Sequence, residues 1–501
     1  MSAVAPTATV PEIRIRALND APFRPDGDFV LYWMTAFRRV RGNFALDRAA
    51  DLAHVFGRPL LVLEPLRCAY PWAADRFHRF ILDGMEDNRR ALERAGVTYF
   101  PYVETSPGAG KGLLAALAGH ACAVVGDDWP GFFHPRMLSA AGSVPAACEV
   151  VDACGLLPLR ATERPWPSAY AFRRMLQRTL PKHLDTMPAE RPRRGLPGPA
   201  VIPRAVRKRW PPAHGALLSG QIGLETLPLD HAVGTVPLRG GATAARRRLR
   251  EFLERLDRYL DERNEPEAAA ASGLSPYLHF GHISTQEILQ ALAGREGWTP
   301  DRVAERATGK RTGWWGMSAA AEAFLDELVT WRELGLNAAF HMPSHQSYDS
   351  LPGWARRTLA EHAADPRPNS YDVPALEAGE THDPLWNAAQ NQLRRHGVMH
   401  NYLRMLWGKK ILEWSASPER ALEVMVELNN KYALDGRDPN SYSGIFWCLG
   451  RYDRPWAPER PIFGRIRYMS SANTARKFRV KGYIAEHGGE KGVHVDDAVS
   501  T

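Results

Sequence analysis

The sequence predicts two unlike halves, an N-terminal α/β domain built on a parallel sheet and an all-helical C-terminal domain. Short apolar runs alternate with helical stretches from residue 28 to about 170, and a Pro-, Gly- and Arg-rich connector follows over 171–242. Beyond it, ten of the fifteen tryptophans fall in the last 204 residues, inside segments of helical periodicity. At about 150 residues per domain, a chain of 501 residues would hold about three units, and two large ones fit equally well. Apolar residues at 45% and charged residues at 24% exclude a disordered, collagen-like or coiled-coil chain.

Function classes are excluded in the same way. The longest apolar-leaning run, Leu113 to Gly126, contains His120 and is shorter than the roughly 18 residues of a membrane span. Met1 to Ala17 lacks the basic start and apolar stretch of a secretory leader, so a cytoplasmic location is expected. Five cysteines without C-x-x-C spacing read as buried thiols rather than a zinc or dithiol site. Sixty-four Lys and Arg against 56 Asp and Glu leave a net charge of +8, which permits a polyanionic partner without requiring one.

The strand candidates are 29–34 (FVLYWM), 59–66 (PLLVLEPL), 97–104 (VTYFPYVE), 121–128 (ACAVVGDD) and 148–155 (CEVVDACG). Fully apolar runs of this length, separated by helical stretches such as Leu46 to Val55 and Asp75 to Ala95, belong to a parallel sheet covered on both faces. Ligands of such sheets lie beyond the carboxyl ends of the strands. Asp127 and Asp128 are therefore either lip residues or a solvated strand end. Gly108 to Gly112 (GAGKG) lacks the spacing and the Ser or Thr of a phosphate loop and reads as a turn opening a helix. Residues 189–242 are weakly periodic and are expected to wrap the surface.

From 243 to 485 the pattern is helical, with N-caps expected at Thr243, Asp383 and Ser417, and 486–501 reads as a polar tail whose last twelve residues are frayed. Four features of this half can carry chemistry. Trp386 lies on one expected helix, and Trp407 and Trp414 lie two turns apart on the next. That arrangement is either a packed stripe or a row of oxidisable indoles. Glu327 and Trp331 are four apart, a spacing that sets a carboxylate beside a π surface on one helix face. Such a pair suits a flipped-out base or is a solvated Glu beside a half-buried Trp. Ser272-Gly-Leu-Ser-Pro276 is an anion nest or an ordinary cap. DGRDPNSY (435–442) offers Asp435 to an arginine such as Arg404. No zinc quartet, H-E-x-x-H or hydrolase motif occurs, so no metal is expected.

Taken in order, SGLSPYLHFG, ELVTWREL, DPLWNAAQ, MHNYLRMLWGKKILEW, LNNKYALDGRDPNSYSG and ERPIFGRIRYMSSANTARKF resemble the photolyase and cryptochrome family, and within it the class II cyclobutane pyrimidine dimer photolyases. VLYWMTAFRRVRGNFAL resembles that class's opening strand and helix. The resemblance implies a Rossmann-like N-terminal domain and a helical domain that holds FAD, active as reduced FADH⁻, with room for a second antenna chromophore of unknown identity. It implies light-driven electron transfer to a dimer flipped out of UV-damaged DNA. The protein's share of that chemistry is binding, orientation and electrostatics.

Carried over by position, Tyr259, Ser272, Leu274 and Ser275 would hold the flavin phosphates and their surroundings. Arg404 and Asp435 would pair near the flavin ring, with Asn429 facing its N5. Arg263, Glu327, Trp331, Met405 and Trp447 would surround the lesion. Trp407, Trp386 and Trp414 would form the photoreduction chain. A monomer is expected. The alternatives are a cryptochrome-like light receptor without repair, and a six-four photoproduct enzyme using His400 as its histidine.

Overall fold

The computed structural model describes residues 10–190 and 195–489. Six strands form one sheet in the order β1-β6-β5-β2-β3-β4. These are β1 (Ile15–Ala17), β2 (Phe29–Trp33), β3 (Leu60–Leu66), β4 (Thr98–Val103), β5 (Ala121–Asp127) and β6 (Cys148–Val151). Strands β2 to β6 pair in parallel. The five apolar runs fold as expected because every residue of β2 and β5 is buried, with helices covering both faces. The sequence reading misses β1, a three-residue antiparallel edge strand that is mostly exposed and too short to carry an apolar pattern.

The chain winds from β2 through β3 to β4, then returns to place β5 on the other side of β2. The switch point is fixed by Asp127, which is neither solvated nor a ligand residue. It is fully buried and accepts the N–H groups of Thr35, Ala36 and Phe37 at 2.7–2.9 Å and the Tyr32 hydroxyl at 2.7 Å. Burial pushes its carboxyl up, against the pull of those donors. Asp128 is likewise structural, pairing with Arg16 and Arg160 at 2.9 and 2.6 Å. Gly112, at a φ of +90°, opens the short helix Leu113–Ala118.

After β6 the described chain contains no further strand, and the helical half is as predicted. Asp383 and Ser417 cap their helices by accepting from Trp386 and Arg420 N–H. Thr243 does not cap, because the N-cap of the helix Ala242–Glu254 is Gly241, two residues earlier, which leaves Thr243 inside the first turn. The connector is also more than a surface wrap. Val206 and Trp210 bury against one face of the sheet, and Leu218, Leu224, Leu227 and Val233 enter the helical core. A helix, Ala169–Thr179, already lies within the expected connector. Another, Lys481–His487, runs past residue 485, while the expected frayed end, 490–501, lies outside the described residues.

The two halves meet along residues 152–157. Glu333 accepts the N–H groups of Leu156 and Leu157 at 2.7 and 3.0 Å, and Arg14 and Arg332 donate to carbonyls of the same segment. Burial raises the Glu333 carboxyl to about 7. Gly155 is required there, since a Cβ would stand 2.6 Å from the Glu333 carboxyl.

Candidate active site

A cavity of about 1060 Å³ opens in the helical half, and sequence-distant segments converge on it. Tyr259, Arg263, Ser272, Leu274, Ser275, Glu327, Trp331, Arg404, Met405, Asp435 and Trp447 all line it. Asn429 does not. It is buried one layer behind, donating to the Ser441 hydroxyl at 2.8 Å, and Ser441 lines the wall.

One wall is the Arg404–Asp435 pair, bonded twice at 3.2 and 3.0 Å. Arg404 points inward from the helix Asn401–Trp414, and Asp435 sits in the turn after the helix Pro418–Tyr432. Burial works to raise the Asp435 carboxyl, but Arg404 and the Ser275 hydroxyl, 2.6 Å away, hold it below its ordinary value. The Ser272–Ser275 turn is braced by Arg248, which donates to the Ser272 carbonyl at 2.9 Å. Gly273 lies at a φ of +66°, and a Cβ there would meet the Arg248 guanidinium at 2.5 Å.

The opposite wall carries Glu327 and Trp331. The expected α-helical spacing is corrected here, because Asp326–Trp331 is a π-helical turn set between the helices Ala319–Leu325 and Arg332–His341. The extra residue of a π turn shifts the phase of the helix, and Glu327, Leu328 and Trp331 all face the cavity. The buried Arg173 grips Asp326 with bonds of 2.6 and 3.0 Å and so anchors the turn. Glu327 accepts from Arg263 at 2.7 Å. Its side chain is 36% open to the cavity, yet the enclosing wall raises its carboxyl, opposed by the Arg263 charge.

Three tryptophans lie behind the cavity, each at most 2% exposed. The planes of Trp386 and Trp407 are 4° apart with centroids at 6.4 Å, and Trp386 meets Trp414 edge-on at 5.4 Å. Trp386 thus touches both members of the pair spaced by seven, and its indole N–H donates to the Trp407 carbonyl. Such a row is both core packing and a continuous path of oxidisable rings.

His400 also lines the cavity. Burial brings its imidazole down to about 4. Sequence reasoning missed Arg173, Arg248, Ser441 and the rim pair Lys310 and Arg311. Apart from Ser441, which lies in the DGRDPNSY segment, none of these stands in a recognisable motif, and only the turn at Gly309, which carries Lys310 to the rim, has a local signal.

With this geometry in place, the chain can be set beside known proteins. No family model matches it. It is 35% identical over 486 residues to the deoxyribodipyrimidine photo-lyase of Methanothermobacter thermautotrophicus, covering 94% of this chain and 97% of that one. The chain belongs to the deoxyribodipyrimidine photo-lyase family. Proteins of the same name from Oryza sativa subsp. japonica and Potorous tridactylus are 35% and 33% identical, covering 94% and 93% of this chain and 90% and 83% of theirs. The family architecture recurs in solved structures. A class III photolyase from Agrobacterium tumefaciens superposes with a TM-score of 0.66 at 19% identity over 92% of this chain and 86% of its own. A cryptochrome from Synechocystis sp. PCC6803 gives 0.65 at 15%, over 92% and 88%. These two likenesses concern the fold alone.

Proposed function

We propose that this photolyase-family chain repairs cyclobutane pyrimidine dimers in UV-damaged DNA, with FAD and the flipped-out lesion sharing the 1060 Å³ cavity. The observation that carries the reading is the meeting, in one cavity, of the Arg404–Asp435 pair, the Glu327 carboxyl and the rings of Trp331 and Trp447.

The residues fit a flavin. The Arg404 Nε atom is buried without a protein partner in a wall whose other polar groups are mostly paired. Ser272, Ser275 and Ser441 add hydroxyls to the same wall. In this reading the Ser272–Ser275 turn, with Tyr259 and Leu274, holds the phosphate end, and Asn429 acts on the ring edge through Ser441. When bound in its reduced form, the flavin would supply the photo-excited electron that splits the ring.

The chain's residues do the rest. Trp331 and Trp447 stack on the extruded bases and exclude water, with Met405 filling the space between. Glu327 hydrogen-bonds the dimer and favours the charge that develops there; burial raises its carboxyl against the pull of Arg263. Arg263 orients Glu327 through their 2.7 Å bond. Trp407 would be the residue that donates an electron toward a bound flavin, with Trp386 and Trp414, in ring contact behind it, carrying the resulting hole.

A second cavity of about 520 Å³ lies at the switch point of the sheet, lined by Trp33, Tyr102, Phe132 and Arg437. The Arg437 Nη2, His134 Nδ1 and Thr35 Oγ1 atoms there are buried without partners. Its aromatic walls and free donors suit a planar antenna chromophore carrying carbonyl or anionic groups. Heating the purified protein should release FAD, identified by chromatography. A folded protein that binds no flavin, even when refilled with FAD, contradicts the reading.

A further inference from the structure

Lys409 is a buried cation that the chemistry above leaves unused. It lies on the helix Asn401–Trp414 with no exposed surface, and among the described residues no carboxylate forms an ion pair with it. Its Nζ donates to the Cys448 carbonyl at 2.7 Å and stands 4.8 Å from the centre of the Trp447 ring. The Arg467 guanidinium lies 5.4 Å from the same ring. Arg467 is paired with Asp453 at 2.9 Å, so Lys409 is the less compensated of the two charges. Asp453, held by Arg467, is the carboxylate whose charge reaches Lys409, and burying an ammonium without a direct ion-pair partner is costly. Burial brings it down to about 8, which still leaves it protonated at neutral pH.

Trp331, which shares the cavity wall, has no cation over its ring among the described residues, and the tryptophans behind the cavity are placed differently again. Among the described residues no cation lies over Trp407 or Trp386, and the Trp407 N–H donates to the neutral Gln390. Trp414 has Lys410 at 5.6 Å, but that ammonium is paired with Glu413 at 2.8 Å. A neutral indole attracts a cation through its quadrupole. An indole that has lost an electron is itself a cation and is repelled, strongly in a poorly solvated wall.

We propose that Lys409, backed by Arg467, shields Trp447 from oxidation, so that electrons enter the cavity through Trp407 while Trp447 stays a neutral stacking surface for the lesion. The inference rests on the flavin reading above. In the step it governs, one electron leaves an indole for the photo-excited oxidised flavin. The indole is oxidised and the flavin reduced, and an external thiol later refills the hole. Trp447 lines the same cavity, and without the shield it would compete.

The test uses full-length protein kept in the dark and exposed to radiolytic azide radicals, with oxidised Trp447 counted by peptide mass spectrometry. Lys409→Met should raise oxidation at Trp447 about tenfold, the scale of one charge removed at this range, while Lys409→Arg leaves it unchanged. In the light, Trp407→Phe should block photoreduction, Lys409→Met in that background should restore it, and adding Trp447→Phe should abolish it again. Equal dark oxidation in wild type and Lys409→Met overturns the proposal, and so does absence of the bypass in light. Should Lys409→Met not fold, Arg467→Gln, at a side chain 39% exposed, must raise dark oxidation of Trp447, and no rise overturns it. Missing flavin, or photoreduction persisting in Trp407→Phe, would instead count against the functional reading, and the dark comparison would still decide the shield.

Discussion

Glu327 and Trp407 are two residues whose tasks separate cleanly in experiment. Glu327→Ala removes a group that acts on developing charge, and a hydrogen bond to a charged group contributes about 1.5–3 kcal/mol. Lesion splitting should slow by that amount while affinity for damaged DNA changes little, measured by single-turnover repair alongside a binding titration. Trp407→Phe should stop photoreduction and spare repair by enzyme reduced beforehand with dithionite. Glu333 makes a prediction about pH. Its carboxyl is raised to about 7 in the fold, against about 4.3 in an unfolded chain. Between those values the native state binds the extra proton, so stability falls as pH rises through the window. Urea midpoints should show this loss in the wild type and a flatter profile in Glu333→Gln.

At the scale of elements, the π-helical turn Asp326–Trp331 is where local pattern and structure part. A four-residue spacing reads as one helix face, and the sequence carries no mark of an inserted residue. What holds the turn is Arg173, 153 positions away on a helix that composition assigns to a connector. Removing one partner of a buried pair leaves an uncompensated charge. Arg173→Leu should therefore lower unfolding free energy by about 3–5 kcal/mol, measured by urea titration. The five core strands were legible because burial on both faces writes itself as continuous apolar runs. The edge strand Ile15–Ala17 was not, since pairing on one side demands no such pattern. Asp127 looked like a lip residue for the same reason that Thr243 looked like a cap. Each is a suitable residue near an element end, and only backbone geometry decides what it binds.

Over the whole molecule, the site was legible through motif order rather than physics. The Trp, Glu–Trp and Ser–Gly features each admit a structural reading alone, and their meeting around one cavity is a property of the tertiary fold. The cavity rim carries Lys310, Arg311, Arg454 and Arg467, consistent with a chain of net charge +8. Replacing Lys310 and Arg311 by Gln should weaken binding to damaged and undamaged DNA alike, lowering the slope of log affinity against log salt by about 1 for each phosphate no longer neutralised. The central claim is that one cavity brings light-driven electron donation to an extruded dimer. It is tested most directly by illuminating the dithionite-reduced protein with an oligonucleotide containing a single thymine dimer and following the return of thymine absorbance. Absorbance returning in the light and not in the dark is the predicted result. No return, with flavin bound and the oligonucleotide held, would contradict it.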